Sequence, residues 1–199
     1  SKYVIMEAAM KKMEKLKEIL SQQHGTLLAS DLKAYDIPRT YLQMMVAEGV
    51  LERVDRGIYV SSDAVEDELY AMQVKYPKLI YSHETALYLQ GLSDRTPCVY
   101  SATVPSGYKV VSSIAERFKI YYIKKDLHEM GVITLMSPSG NPIRTYGLER
   151  TFCDLLRSKQ RMDIQIFAEA MKGYGNLDSL DYHSLLEYAG KLRVQKELK

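Results

Sequence analysis

The segment from Asp36 to Gly49, DIPRTYLQMMVAEG, limits most strongly what the chain can fold into. Pro38 fits the first position of a helix, because its missing N–H costs nothing there and its fixed φ is already helical. At 100° per residue this helix has two unlike sides. The apolar side carries Leu42, Met45 and Val46, and the polar side centres on Arg39, Thr40, Gln43, Met44 and Ala47. The pattern predicts that one side packs on the protein and the other recognises something outside it.

The residues before this helix predict two further helices. Apolar residues recur every three or four positions from Val4 to His24, which indicates an amphipathic helix, and Gly25 suits its left-handed cap. Ser30 and Asp31 signal the start of a short helix over residues 32–35. The short helix and the proline-initiated helix then meet at a tight turn.

Two strand-like runs, residues 50–54 and 58–60, follow and enclose a turn whose Gly57 can supply positive φ. Helices and hairpin together predict a winged helix-turn-helix, whose second helix reads base edges in the major groove. Arg39 can reach guanine O6 and N7, Gln43 can pair with adenine, and Thr40 can contact a phosphate or a thymine methyl. The predicted contacts with double-stranded DNA come from Lys33, Arg39, Thr40, Tyr41, Gln43, Met44, Arg53 and Arg56.

The charge balance leaves an alternative open. The chain has a formal net charge of +2, and its first 61 residues hold nine basic and eight acidic side chains. A nucleic-acid surface is therefore local, formed by arginines on the reading helix and the wing. Because winged helices also dock proteins, the alternative is an interaction adaptor that uses this unit to bind a partner polypeptide.

The remaining residues predict a second unit of mixed composition. Helical patterns alternate with short strand-like runs, which indicates a small sheet with flanking helices. The predicted fold class is therefore α+β, with a winged helix-turn-helix at residues 1–61 and a mixed α/β domain at residues 62–199. A helix is expected from Asp63 to Tyr76, and another from Ser179 to Leu192.

Motifs in the second unit do not favour an enzyme. Ser82, His83 and Glu84 are interpreted as a serine cap with a glutamate in the first helical turn rather than as acid–base groups. A metal-dependent nuclease needs carboxylates aimed at one ion, whereas Glu149 and Asp154 lie about 140° apart on one helix. No phosphate-binding glycine loop, metal-ligand spacing or nucleophile elbow is present. We therefore expect no catalytic residue, no metal site and no cofactor.

A basic run suggests a second, auxiliary surface. Its members lie on or beside the segment FKIYYIK, which is expected to form a central strand, and are Arg117, Lys119, Lys124 and Lys125. Such lysines commonly protect a strand edge from pairing with other chains, and the functional alternative is contact with a nucleic-acid backbone. Only two cysteines and no long apolar run occur, which favours a cytoplasmic location without membrane association.

Three segments in order, the winged helix, YSHETALYLQGLSDRTP and IRTYGLERTFCDLLRSK, resemble the AbiEi antitoxins of type IV toxin–antitoxin and phage-abortive-infection systems. The resemblance implies a transcriptional repressor that binds inverted repeats in its own promoter. It also implies a C-terminal domain that counteracts a nucleotidyltransferase-like toxin, AbiEii, without forming a stable complex. The implied DNA contacts are Arg39, Thr40, Gln43 and the wing arginines.

Overall fold

The computed structural model describes residues 2–198, which form two compact units. The first unit comprises residues up to 71 together with 136–142, and the second comprises residues 72–135 and those from 143 onward. Helices and strands are mixed in the chain, and two separate sheets are present. The predicted α+β class is confirmed.

The first unit is a winged helix-turn-helix. Its helices are α1 (Lys2–Gln22), a 3-10 helix (Asp31–Tyr35) and α2 (Thr40–Ala47). Its strands are β1 (Thr26–Leu28), β2 (Leu51–Asp55) and β3 (Ile58–Ser61), paired antiparallel in the order β1-β3-β2. The sequence pattern did not predict β1, because three residues are too few to show an alternation.

A single apolar cluster holds these elements together. Leu16 and Ile19 of α1, Leu32 of the 3-10 helix, and Leu42 and Met45 of α2 are all almost inaccessible to solvent. Burying one such side chain contributes about 1.5–3 kcal/mol. The cluster therefore fixes α2 on the unit and determines which of its sides remains exposed.

The first unit extends beyond the expected boundary at residue 61. Asp67 is buried and accepts hydrogen bonds from Ser137 Oγ and from Asn141 Nδ2, the latter at 2.9 Å. A buried carboxylate needs such partners, and here they come from residues 136–142. Asp67 also accepts from the Tyr70 amide, so α3 begins at Glu68 (Glu68–Lys75) rather than at Asp63 as expected.

The second unit contains a five-stranded mixed sheet flanked by helices. The strands are β4 (Ile80–Tyr81), β5 (Tyr100–Pro105), β6 (Phe118–Ile123), β7 (Val132–Met136) and β8 (Pro142–Tyr146), in the order β6-β5-β4-β8-β7. β4 pairs antiparallel with β5 and parallel with β8, and β5 pairs parallel with β6.

Helices flank this sheet in the second unit. They are α4 (His83–Leu89), α5 (Ser112–Ala115), α6 (Leu148–Arg157), α7 (Ile164–Gly175) and α8 (Tyr182–Leu192), with 3-10 turns at Lys125–Leu127, Lys159–Arg161 and Gln195–Leu198. Helix α8 starts three residues later than expected, because Asp181 caps it by accepting from the amides of His183 and Ser184. Among residues 2–198, no helix combines the length and the apolar character needed to cross a bilayer.

Candidate nucleic-acid interface

Helix α2 begins later than the proline suggests. Its first helical residue is Thr40 and its N-cap is Arg39, with φ −61° and ψ −18°. The Pro38 carbonyl accepts a hydrogen bond from the Tyr41 amide at 3.1 Å, so Pro38 closes a turn before the helix. The prediction that Pro38 occupies the first helical position is wrong by two residues, and Arg39 and Thr40 lie at the N-terminal end of the helix.

The two sides of α2 separate largely as the sequence predicts. Leu42 and Met45 are buried, whereas Arg39, Thr40 and Gln43 are exposed. Val46 was assigned to the packed side, but it is 37% exposed. At 100° per residue Val46 lies only about 20° from Arg39, at the border of the exposed arc, and Leu42 and Met45 fill the available core.

Tyr41 and Met44 border a groove beside the other predicted contacts on α2. Tyr41 is half-buried against the core cluster, and Met44 is 48% exposed. Both line a groove with α1. Tyr41 points about 160° away from Gln43, whereas Met44 lies about 40° from Thr40, at the edge of the polar side.

The wing carries two exposed arginines. Arg53 lies in β2 opposite Tyr59, and a register irregularity follows it before Asp55. Arg53 Nε donates to the Asp55 carbonyl at 3.3 Å, and Asp55 Oδ1 accepts from the Arg56 amide at 2.6 Å. Gly57 has φ +77° and closes the turn, as the sequence predicted. Asp55 therefore organises the tip of the wing through the backbone, and both arginine side chains remain exposed.

The predicted site residues lie on three kinds of element in the first unit. Lys33 is exposed on the 3-10 helix, Arg39, Thr40 and Gln43 on α2, and the arginines on the wing. Guanidinium, amide and hydroxyl groups are the donors that proteins use toward base edges and phosphates. The exposed side chains of α2, the 3-10 helix and the wing therefore carry donor groups of the kinds used toward DNA.

The auxiliary basic residues of the second unit surround β6, which is an edge strand and not the central strand that the sequence suggested. Lys119 Nζ donates to the Arg161 carbonyl at 2.8 Å and lies 3.5 Å from Glu84 Oε1. Lys119 is therefore engaged within its own unit. Lys124 and Lys125 are exposed, and so is Arg117.

The Ser82–His83 pair has a structural environment that sequence reasoning missed. His83 is buried, with Nδ1 2.9 Å from Ser82 Oγ and Nε2 2.9 Å from Ser158 Oγ. Its ring stacks on Tyr121 at 3.6 Å, and Thr103 donates to Ser82 Oγ. The expected side-chain cap by Ser82 is wrong, because its hydroxyl is used in this network. The network is buried, so it offers no nucleophile to solvent.

The environment of His83 predicts a pH-dependent stability. Burial lowers the pKa of His83 well below its ordinary value of 6.5, and the positive charges of Lys119 and Arg150 add to this effect. The folded state therefore favours the neutral imidazole. The free energy of unfolding has its full value above pH 6.5 and decreases as the pH falls below that value. The loss is at most about 1.4 kcal/mol per pH unit for each such histidine.

We expect His83→Gln to flatten the fall in unfolding free energy between pH 7 and pH 5. Hydrogen exchange of the amides of α4 measures this in the second unit. His183→Gln is the matched control, because His183 is exposed on α8. His128, whose pKa is also lowered by burial, accounts for a remaining slope. If the unfolding free energy of His83→Gln depended on pH as strongly as that of the wild type, His83 would not be the source of the pH dependence.

The carboxylates considered for a nuclease are engaged in internal contacts. Asp154 Oδ2 accepts from Arg150 Nε at 3.1 Å, and both side chains are buried. Glu149 Oε1 accepts from the Asp181 amide at 2.8 Å. Within residues 2–198, no group of three or more histidine, cysteine, aspartate or glutamate side chains is placed to hold a metal ion. Cys153 is buried, which raises its pKa to about 12, and Cys98 is exposed.

A family model described as "Transcriptional regulator, AbiEi antitoxin" matches residues 14–62. The match extends from the second half of α1 to the end of the wing, and it confirms the resemblance to the AbiEi family in this segment. The description names a regulator and an antitoxin, not a catalytic activity. No curated protein matches the chain. The crystal structure of the RV2827C protein from Mycobacterium tuberculosis is similar with a TM-score of 0.45 and 11% sequence identity, covering 92% of this chain and 76% of that chain.

Proposed function

We propose that the chain is a transcriptional autorepressor that binds inverted repeats in its own promoter and also acts as an antitoxin. The observation that carries the first part is the exposed side of α2, where Arg39, Thr40 and Gln43 lie opposite the buried Leu42 and Met45. The regulator family matched by residues 14–62 supports the same function.

The proposed contacts divide into two roles. Arg39 and Gln43 read base edges, because a guanidinium and a carboxamide can each make two hydrogen bonds to one base. Thr40, Lys33 and the wing arginines Arg53 and Arg56 position the protein on phosphates. Tyr41 and Met44 of α2 instead line the groove beside α1. Specificity is therefore assigned to the first two turns of α2 and affinity to a wider basic surface.

Replacing Arg39 by alanine is expected to reduce the preference for the promoter repeat by about 10- to 100-fold, which is the value of one bidentate contact with a base. The measurement compares affinity for a promoter duplex with affinity for a scrambled duplex at one salt concentration. Arg157→Ala is the matched control, because it removes an exposed arginine from α6 of the second unit. Specific binding unchanged in Arg39→Ala would contradict the assignment of α2 as the reading helix.

The antitoxin part is proposed from the family and concerns a nucleotidyltransferase-like toxin of the AbiEii type, counteracted without a stable complex. The same Arg39→Ala variant separates the two activities. We expect it to lose repression of a promoter reporter and to keep its protection of cells that express such a toxin from the neighbouring gene. Loss of protection at unchanged protein level would contradict two separable activities.

The adaptor alternative gives a different result in these assays. A stable complex with the product of the neighbouring gene, combined with no binding to the promoter duplex at low salt, would favour docking of a polypeptide by the winged helix. The exposed basic side chains of α2 and the wing favour DNA as the ligand of that side.

A further inference from the structure

The five-stranded sheet of the second unit has two edges that differ in their side chains. β6 forms one edge; Lys119 lies within it, and Lys124 and Lys125 follow it. Lysines at a sheet edge oppose pairing with a further strand. β7 forms the other edge, and its five residues, VITLM, include no charged side chain and no proline. The β7 edge therefore lacks the usual protection against the addition of a strand.

Two hydrogen bonds fix the register of the hairpin formed by β7 and β8. The Gly147 amide donates to the Gly131 carbonyl, and the Ser137 amide donates to the Asn141 carbonyl, each at 2.8 Å. The two bonds are equally far apart on both strands, so no bulge interrupts the pairing between them. Because alternate residues of an antiparallel strand bond to its neighbour, the odd positions from 131 to 137 bond to β8.

Thr134 lies between two of these positions, so its backbone N–H and C=O point away from β8 and toward the free edge. Thr134 is exposed, and within residues 2–198 it makes no hydrogen bond beyond the sheet. A donor and an acceptor side by side on one residue match the acceptor and donor of one residue on an adjacent strand. An extended polypeptide is the class of ligand that satisfies both groups at once.

An apolar groove borders the same edge. Ile133 and Leu135 are two positions apart, so both side chains lie on one face of the sheet. They line the groove together with Leu89 of α4 and Leu148 of α6, and it encloses about 470 Å³. A strand added beside β7 would direct every second side chain to this face. The groove therefore suits apolar side chains at alternate positions of the added strand.

A single carboxylate supplies the charge of this groove. Glu149 is the ionisable residue in its described lining, and Glu149 Oε1 accepts from the Asp181 amide. Within residues 2–198, no lysine or arginine forms an ion pair with Glu149. A basic side chain on the added strand would therefore provide the missing counter-charge.

We infer that the β7 edge binds an extended segment of another protein. The segment pairs with Thr134 through its backbone and directs apolar side chains and one basic side chain into the groove. A second copy of the chain fits this edge less well, because residues 132–136 provide no basic side chain for Glu149. This interaction belongs to the second unit and involves a polypeptide ligand, so it goes beyond the proposed function.

The probe is a short peptide in which threonine alternates with Lys, Val, Val and Lys, so that its lysines and valines share one face in either strand direction. We expect it to bind the full chain with a dissociation constant below about 1 mM. An NMR titration of the backbone amides locates the site, and the expected shifts are at Thr134 and its neighbours in β7. A peptide that does not bind at this concentration, or that shifts β6 as much as β7, overturns the inference.

Thr134→Pro removes the outward N–H without removing a bond to β8, so the sheet is expected to persist. We expect peptide binding to weaken by about 10-fold or more, because one backbone hydrogen bond is lost and an acceptor on the peptide keeps no partner. Thr134→Val is the matched control, since it retains the N–H and the β-branched shape. Hydrogen exchange of the α6 amides verifies that the second unit is folded. A folded Thr134→Pro that binds as tightly as Thr134→Val would contradict strand addition.

Glu149→Gln tests the charge of the groove, because glutamine keeps the acceptor for the Asp181 amide and removes the negative charge. A peptide with glutamate in place of lysine is expected to bind the wild type about 5-fold more weakly than the lysine peptide, and Glu149→Gln is expected to reduce this difference. An equal difference in both proteins would show that Glu149 does not select the segment. A wild type that sediments as a dimer while Thr134→Pro sediments as a monomer would assign the edge to a second copy and overturn the inference.

Discussion

Replacing Arg150 by methionine is expected to lower the free energy of unfolding of the second unit by about 3–5 kcal/mol, the usual cost of breaking a buried ion pair by removing one partner. Arg150 is completely buried on α6, and its Nε donates to Asp154 Oδ2 at 3.1 Å. Its guanidinium lies 4.0 Å from the centre of the Tyr146 ring. Methionine keeps most of the side-chain volume but none of the donors.

Two kinds of acceptor lose their partner in this variant. Burial already raises the pKa of Asp154, and the positive charge of Arg150 opposes that rise. Without the arginine, the carboxylate is left uncompensated in the interior. Arg150 Nη1 also donates to the carbonyls of Leu127 at 2.8 Å and Met130 at 2.6 Å, so the chain before β7 loses its attachment to α6.

The measurement is hydrogen exchange of the α6 and α8 amides, which reports on the second unit without requiring the whole chain to unfold in one step. Arg157→Met on the same helix is the control, because Arg157 is exposed and its loss is expected to change stability by less than about 0.5 kcal/mol. Arg150→Met combined with Asp154→Leu is expected to recover much of the loss, since no charge is then left buried. A double variant as unstable as the single one would contradict the explanation.

The winged helix was predictable because its signals are local. The periodicity of α1 and α2 and the glycine at position 57 each act within a few residues, and the structure confirms all three. The exposed side of α2 also followed from angular position alone. The prediction that Val46 packs against the unit was wrong, because the sequence of a helix does not determine how much core lies beneath it.

The contacts that sequence reasoning missed join residues far apart in the chain. Ser158 lies 75 positions after His83, and Asn141 lies 74 positions after Asp67. No local pattern shows that a helix cap and a distant loop share one carboxylate. The first contact belongs to the buried network that also holds Ser82, and the second holds the carboxylate that caps α3.

Binding to the promoter duplex is expected to weaken by about 10² between 50 and 200 mM salt, if each copy neutralises about four phosphates. The basic surplus of the first 61 residues is only one, so the effect must come from the exposed positive side chains on α2, the 3-10 helix and the wing. The measurement is the affinity for a single repeat at several salt concentrations. If the affinity did not depend on salt, DNA phosphates would not be the main ligand.

The wing arginines provide the control for this prediction, because they contribute charge without belonging to the reading helix. Arg53→Ser combined with Arg56→Ser is expected to reduce the slope of log affinity against log salt by about two, and to weaken all sequences alike. Arg39→Ala instead reduces the preference between sequences. If the wing variant also changed the preferred sequence, the wing would contact bases in the minor groove, and Arg53 would be the first candidate because Asp55 holds it along the strand.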